Sequence, residues 1–382
     1  DVDHLWLGAD LMSALQQMWL GAAAGFVPGP GGLWSWGNNT SGKLGLGNIT
    51  NYSSPKQVGA LVTWSNVATF YNHSLAIKTD GTLWSWGDNN VGQLGLGNIT
   101  NYSSPKQVGA LTTWATVGGA RRFSFAIKTN GTLWAWGKNT TYGQLGLGDV
   151  IDRSSPVQVG ALTTWAMVDG GNDYWTLAVK TDGTMWAWGG NSSGMLGLGN
   201  LTNYSSPKQV GALTTWSTVT ASTGASSFAI KTNGTMWAWG LGGSGQLGLG
   251  NITTYSSPIQ VGALTTWSKV SAGNNWGLAV KTDGALWSWG QNSIGQLGLG
   301  NTAFYSSPKQ VGALTTWSTV SSGAYSSFAL KTDGTLWSWA GNANGQLGLG
   351  NITNYSSPVQ VGALTTWSAV SAGRTNASAI KS

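Results

Sequence analysis

The chain has 382 residues, 41% of them apolar, which is enough to bury a large core. It carries 18 Lys and Arg against 12 acidic residues, every one an Asp, for a formal charge of +6. So thin a charge argues against nucleic-acid binding; the lack of Cys excludes disulfides and thiolate metal sites, and no apolar run is long enough to span a membrane.

Residues 1–31 stand apart from the rest. Trp-Leu-Gly-Ala occurs twice there, at Trp6–Ala9 and Trp19–Ala22. Between the two, Leu11, Leu15, Met18 and Trp19 fall on one face of a short helix. With Trp6 and Leu7 they form a candidate anchor for docking on a larger assembly or for self-association. Gln16 and Gln17 interrupt the apolar run, so it does not read as a secretory signal. Pro28, Pro30 and the neighbouring glycines make a linker. The doubled motif resembles the paired Tyr-Leu-Gly motifs at the N-termini of tailed-bacteriophage structural proteins, which implies a virion or cell-surface setting.

From residue 32 onward the chain is one repeat. Trp-x-Trp pairs fall at Trp34/Trp36, Trp84/Trp86, Trp134/Trp136, Trp186/Trp188, Trp237/Trp239, Trp287/Trp289 and Trp337/Trp339. A third Trp follows in each copy, from Trp64 to Trp367. A fixed period of this length marks a repeat architecture. Within a copy, "TLWSW" alternates as a strand does, "QVGAL" and "WSTV" are short and β-prone, and "SFAIK" is a fourth strand. "KTDGT" joins that last strand to the next copy by a tight hairpin. Four short strands in each of seven copies predict an all-β, seven-bladed propeller over residues 32–382.

The end copies are as apolar as the middle ones, whereas a linear solenoid needs polar caps. The chain enters and leaves inside the hairpin that links all other copies. Ala379–Lys381 is therefore expected to pair beside Leu33–Trp36 and close the ring. In "QLGLG", Gly95 and Gly97 would let a neighbouring backbone approach closely. The glycine order does not match a dinucleotide fingerprint, and a Pro and a strand follow where a helix would be needed. No cofactor is expected.

"GTLWSWGDNNVGQLGLG", followed by "VGAL", "WSTVSAG" and "SSFAL", resembles the regulator of chromosome condensation repeat family, a seven-bladed β-propeller family. The resemblance covers nearly the whole chain and implies the fold. Function is a separate matter, because that family includes a nucleotide exchange factor, a plant ultraviolet-light receptor and a secreted β-lactamase inhibitor.

The copies differ most in the loop between "WSTV" and "SFAIK". Tyr71 and His73 lie there in copy one; Arg121, Arg122 and Phe123 in copy two; Tyr174 and Trp175 in copy three. Trp276, Tyr325 and Arg374 follow in copies five, six and seven. Equivalent propeller loops share a face, so these residues predict a partner-binding rim for a protein or a glycan, with His73 solvated in its loop. The Asn-Ile-Thr triplets read as turns. His73 is the one His of the repeats, and no carboxylate pair or metal cluster is visible, so the chain reads as a binding protein and not an enzyme. Alternative readings are a secreted enzyme inhibitor and a nucleotide exchange factor for a small GTPase; lack of Glu weighs against the latter.

Overall fold

A computed structural model describes residues 30–382. Those residues form 28 strands in seven antiparallel sheets of four, arranged as blades around a central channel. The anchor residues Trp6, Leu7, Leu11, Leu15, Met18 and Trp19 lie outside the described residues. Blades are numbered here by their innermost strand. Blade 1 runs Trp64–Thr69, His73–Lys78, Leu83–Gly87 and Tyr102–Gln107, from the axis outward.

The position of each strand follows from its composition. The second and third strands are buried along nearly their whole length because neighbouring blades cover both faces; His73–Lys78 and Leu83–Gly87 hold Leu75, Ile77, Leu83 and Trp86 at 2% exposure or less. The outer strand "YSSPKQ" is polar and half-exposed. Its Pro105 lies in a stretch where pairing skips from Gly87↔Tyr102 to Ser85↔Lys106, so the ladder does not need its missing N–H. In the "KTDGT" turn only Gly81 takes a left-handed φ, +76°. Asp80 Oδ1 accepts from Thr82 N at 2.9 Å and from Thr82 Oγ1, and Thr82 Oγ1 accepts from the Trp84 indole at 2.8 Å. The Asn-Ile-Thr triplets are turns: Asn98 Oδ1 accepts from Thr100 N at 2.9 Å.

One contact recurs at all seven seams between blades. The second Trp of each pair donates its indole N–H to a backbone carbonyl in the "GQLG" loop of the preceding blade. Trp86 reaches Lys43 O, Trp136 reaches Gln93 O, and the series runs through Trp188, Trp239, Trp289 and Trp339, all at 2.7–3.0 Å. At five seams a hydroxyl of the next strand donates to the same carbonyl, as Ser124 does to Gln93 O at 2.8 Å. The glycine two residues on lies flat against the indole, and a Cβ on Gly95 would sit 2.8 Å from Trp136 Nε1. Full burial of each large side chain contributes about 1.5–3 kcal/mol, and a net hydrogen bond about 1 kcal/mol.

Blade 7 is built from both chain ends. Gly32–Gly37 and Tyr52–Gln57 supply its outer half, Trp367–Ala372 and Asn376–Lys381 its inner half. Leu33 pairs with Ile380 and Trp34 with Ala379, so the expected closure is present. Trp36 then donates to Gln346 O at 2.9 Å, the same seam contact as at the other six.

Gly109 also has a left-handed φ, +63°, but among the described residues nothing lies within 4 Å of its would-be Cβ. Gly109→Ala should therefore cost about 1 kcal/mol from backbone strain alone. Gly95→Ala should cost a further 1–3 kcal/mol, roughly, from overpacking against the indole. Urea unfolding of the two variants measures that difference.

Candidate functional site

The variable loops, which join the inner strand to the second, gather on one face, the rim. Their backbones touch: Arg121 N donates to Asn172 O at 2.7 Å, and a Cβ on Gly323 would meet Gly373 O at 2.2 Å. Around blades 4 and 5 the loop backbones pack closely, and a Cβ on Gly224 would overlap Asn274 O at 1.3 Å. Reactive and charged side chains collect on blades 6, 7, 1, 2 and 3.

Six of the expected rim residues are presented there. The Arg374 guanidinium lies 4.2 Å from the Tyr71 ring centre and 5.6 Å from that of Tyr325. Arg121 lies over the same Tyr71 ring at 4.5 Å. Arg122 grips Asp173 with two bonds, Nε to Oδ1 at 3.0 Å and Nη2 to Oδ2 at 2.7 Å, and Arg121 Nη1 adds a third at 3.1 Å. Asp173 is fully buried, and these bonds raise the Arg122 pKa further above its ordinary value. Tyr174 packs edge-on against Tyr142 at 5.4 Å and is 38% exposed.

Four expected rim residues are corrected: His73, Phe123, Trp175 and Trp276 are 0–2% exposed. Each opens the second strand of its blade, one residue beyond the loop, and turns into the seam below the rim. His73 is not a solvated loop residue. Its Nε2 bonds Ser124 Oγ at 2.8 Å, its ring packs on Phe70, and burial pushes its pKa down to about 3. Trp175 Nε1 likewise donates to Ser227 Oγ at 3.2 Å.

Two contributors escaped the sequence reading. Asp173, in the variable loop of copy three, is the carboxylate that orders two arginines. Lys43 lies within the constant "GxLGLG" stretch, where other copies have Gln93, Gln144, Met195, Gln246, Gln296 and Gln346. It is 2% exposed, and its Nζ donates to Tyr71 O at 3.3 Å and Thr375 Oγ1 at 3.2 Å. Burial, with repulsion from Arg374, lowers its pKa to about 8 despite the attraction of Asp88. A comparison of the copies at that one position would have found it.

The rim surrounds one mouth of the axial channel, whose volume is about 810 Å³; Tyr71, Arg121 and Arg374 line it. In the channel wall, Asp169 Oδ2 accepts from Ala221 N of the next blade at 3.0 Å. Ser371 and Ser321 play the same part, accepting from Thr69 N and Ala372 N. Burial pushes Asp169 up to about 7, outweighing its bonds from Ala221 N and Gly170 N. The opposite face carries lysines over Trp rings, as with Lys78 3.7 Å from the Trp84 centre, so the repeated lysines brace the blades. Among the described residues no group of three or more His and Asp could hold a metal ion.

Folded Asp169 binds its proton more tightly than the unfolded chain does, so its stabilisation is present below about pH 4 and lost as pH rises through 7. Asp169→Ser keeps the seam bond, as Ser321 and Ser371 do. Unfolding curves at pH 4 to 7 should show wild type losing stability relative to this variant; parallel curves would contradict the burial of the carboxylate.

Family models agree with this architecture. The RCC1-like domain matches residues 16–267, and the regulator of chromosome condensation (RCC1) repeat matches 283–330 and 333–380. The chain is 30% identical over 241 residues to the ultraviolet-B receptor UVR8 of Arabidopsis thaliana, an alignment spanning 62% of this chain and 54% of the receptor. It is 34% identical over 127 residues to the human E3 ubiquitin-protein ligase HERC2, spanning 32% of this chain and 3% of the ligase. The match thus spans about half of the plant receptor and a small part of the ligase. Human WBSCR16 superposes with a TM-score of 0.82 at 20% identity, over 92% of this chain and 98% of that one. Prp20p of Saccharomyces cerevisiae, described with its binding to Gsp1p and histones, superposes with a TM-score of 0.81 at 19% identity, over 96% and 95%. At these identities the two structures share the fold.

Proposed function

The chain belongs to the RCC1-like repeat family, and on that premise we propose that it is a binding propeller without catalytic activity, whose rim from blade 6 through blades 7 and 1 to blade 3 holds a protein partner. The observation that carries the reading is the shared Tyr71 ring, with Arg121 at 4.5 Å and Arg374 at 4.2 Å, beside a pair of arginines fixed on a buried Asp. Rigid tyrosines with preordered guanidiniums bind at low entropic cost, and such residues dominate interface energies. Lys43, Arg121, Arg122 and Arg374 face two carboxylates, Asp173 and Asp88. That excess of positive charge favours an acidic protein surface over a neutral glycan. Residues 1–31 would attach the propeller to a larger assembly, in a virion or at a cell surface; the doubled Trp-Leu-Gly-Ala motif supports that part of the proposal.

The test uses the full chain carrying Tyr71→Ala, Arg121→Ala and Arg374→Ala together. Cross-linking in native extract with quantitative mass spectrometry should show the partners of the wild type depleted about tenfold or more. Leu111→Ser, on the opposite face, should retain them. An unchanged partner set in the triple variant, with unchanged melting, would overturn the rim assignment.

A further inference from the structure

We propose that Lys43, Arg374 and Thr375, in the seam between blades 7 and 1, form a binding site for one oxyanion, a phosphoryl or carboxylate group carried by the partner. The inference deepens the rim reading and rests on it for the source of the anion.

Lys43 is the starting point. A glutamine in the same place makes an equivalent contact: Gln144 Nε2 donates to Asp173 O at 3.1 Å, as Lys43 Nζ donates to Tyr71 O. The rim carbonyl therefore does not require a cation. What Lys43 adds is a buried positive charge, and its two hydrogen-bond partners, Tyr71 O and Thr375 Oγ1, are both neutral. Of the charged groups facing it, Arg374 repels it and Asp88 attracts it, and burial outweighs that attraction. Among the described residues neither Lys43 nor Arg374 forms a salt bridge, while Arg121 and Arg122 share Asp173.

Arg374 spends one weak bond, 3.4 Å, on Tyr325 OH and otherwise offers its fork to solvent at the channel mouth. A guanidinium fork beside an ammonium and a hydroxyl matches the oxygens of phosphate or carboxylate. An anion there would relieve the Lys43–Arg374 repulsion.

Inorganic phosphate and acetate are the probes, titrated calorimetrically into the full chain at matched ionic strength. Phosphate should bind saturably at one site. Lys43→Gln, which keeps the contact that Gln144 makes, should fold and lose affinity tenfold or more; Lys56→Gln on an outer strand should not. Affinity should fall as pH rises through 8, where Lys43 gives up its proton. Saturable binding of phosphate alone indicates a phosphoryl source, and comparable binding of acetate a carboxylate source. Absence of saturable binding by either probe, or equal binding by Lys43→Gln, overturns the site. If phosphate binds as stated but the rim triple variant keeps its partners, the anion site stands and the rim reading fails.

Discussion

An indole N–H donated to a backbone carbonyl of the preceding blade is the contact on which the molecule depends. It explains why each copy spends a Trp and a left-handed Gly at fixed places: the ring must reach the carbonyl, and the loop must lie flat on the ring. The same carbonyl often takes a second donor from a Ser or Thr, so each seam is both packed and hydrogen-bonded. Because the contact runs from Gln346 to Trp36 as it does elsewhere, chain ends and chain middle are joined alike. Cooperative burial of this kind makes the ring a rigid frame.

A rigid frame leaves the loops free to differ. Blades 4 and 5 fill their share of the rim with close backbone contact, while blades 6, 7, 1, 2 and 3 carry Tyr, Arg and Asp. Asp173 is the ordering element on one side and Lys43 on the other, one fully buried and the other nearly so, each bonded to the loops above it. The rim is asymmetric on a nearly symmetric body. The lysines on the opposite face repeat with the blades and lie over Trp rings, so that face is uniform.

Much of this was legible in the residues. Trp-x-Trp spacing and the "KTDGT" turns placed the blades, and the split hairpin placed the closure. Loop composition placed Tyr71, Arg121, Arg122, Tyr174, Tyr325 and Arg374 on one face. It failed for His73, Phe123, Trp175 and Trp276 because the strand begins one residue earlier than the variable stretch suggests, and the first strand residue turns into the seam. A strand buried on both faces shows no alternation that would reveal this. Lys43 was hidden for the opposite reason, since it stands within the most constant segment of the repeat.

Amide hydrogen exchange along the closing blade tests the account most directly. If the seams are equivalent, the amides of Leu33–Trp36 and Ala377–Ile380 exchange as slowly as those of Met236–Trp239 in blade 4, all through global unfolding. Fast exchange confined to the two chain ends would mean that blade 7 opens by itself, and the claim of a ring held equally at every seam would be wrong.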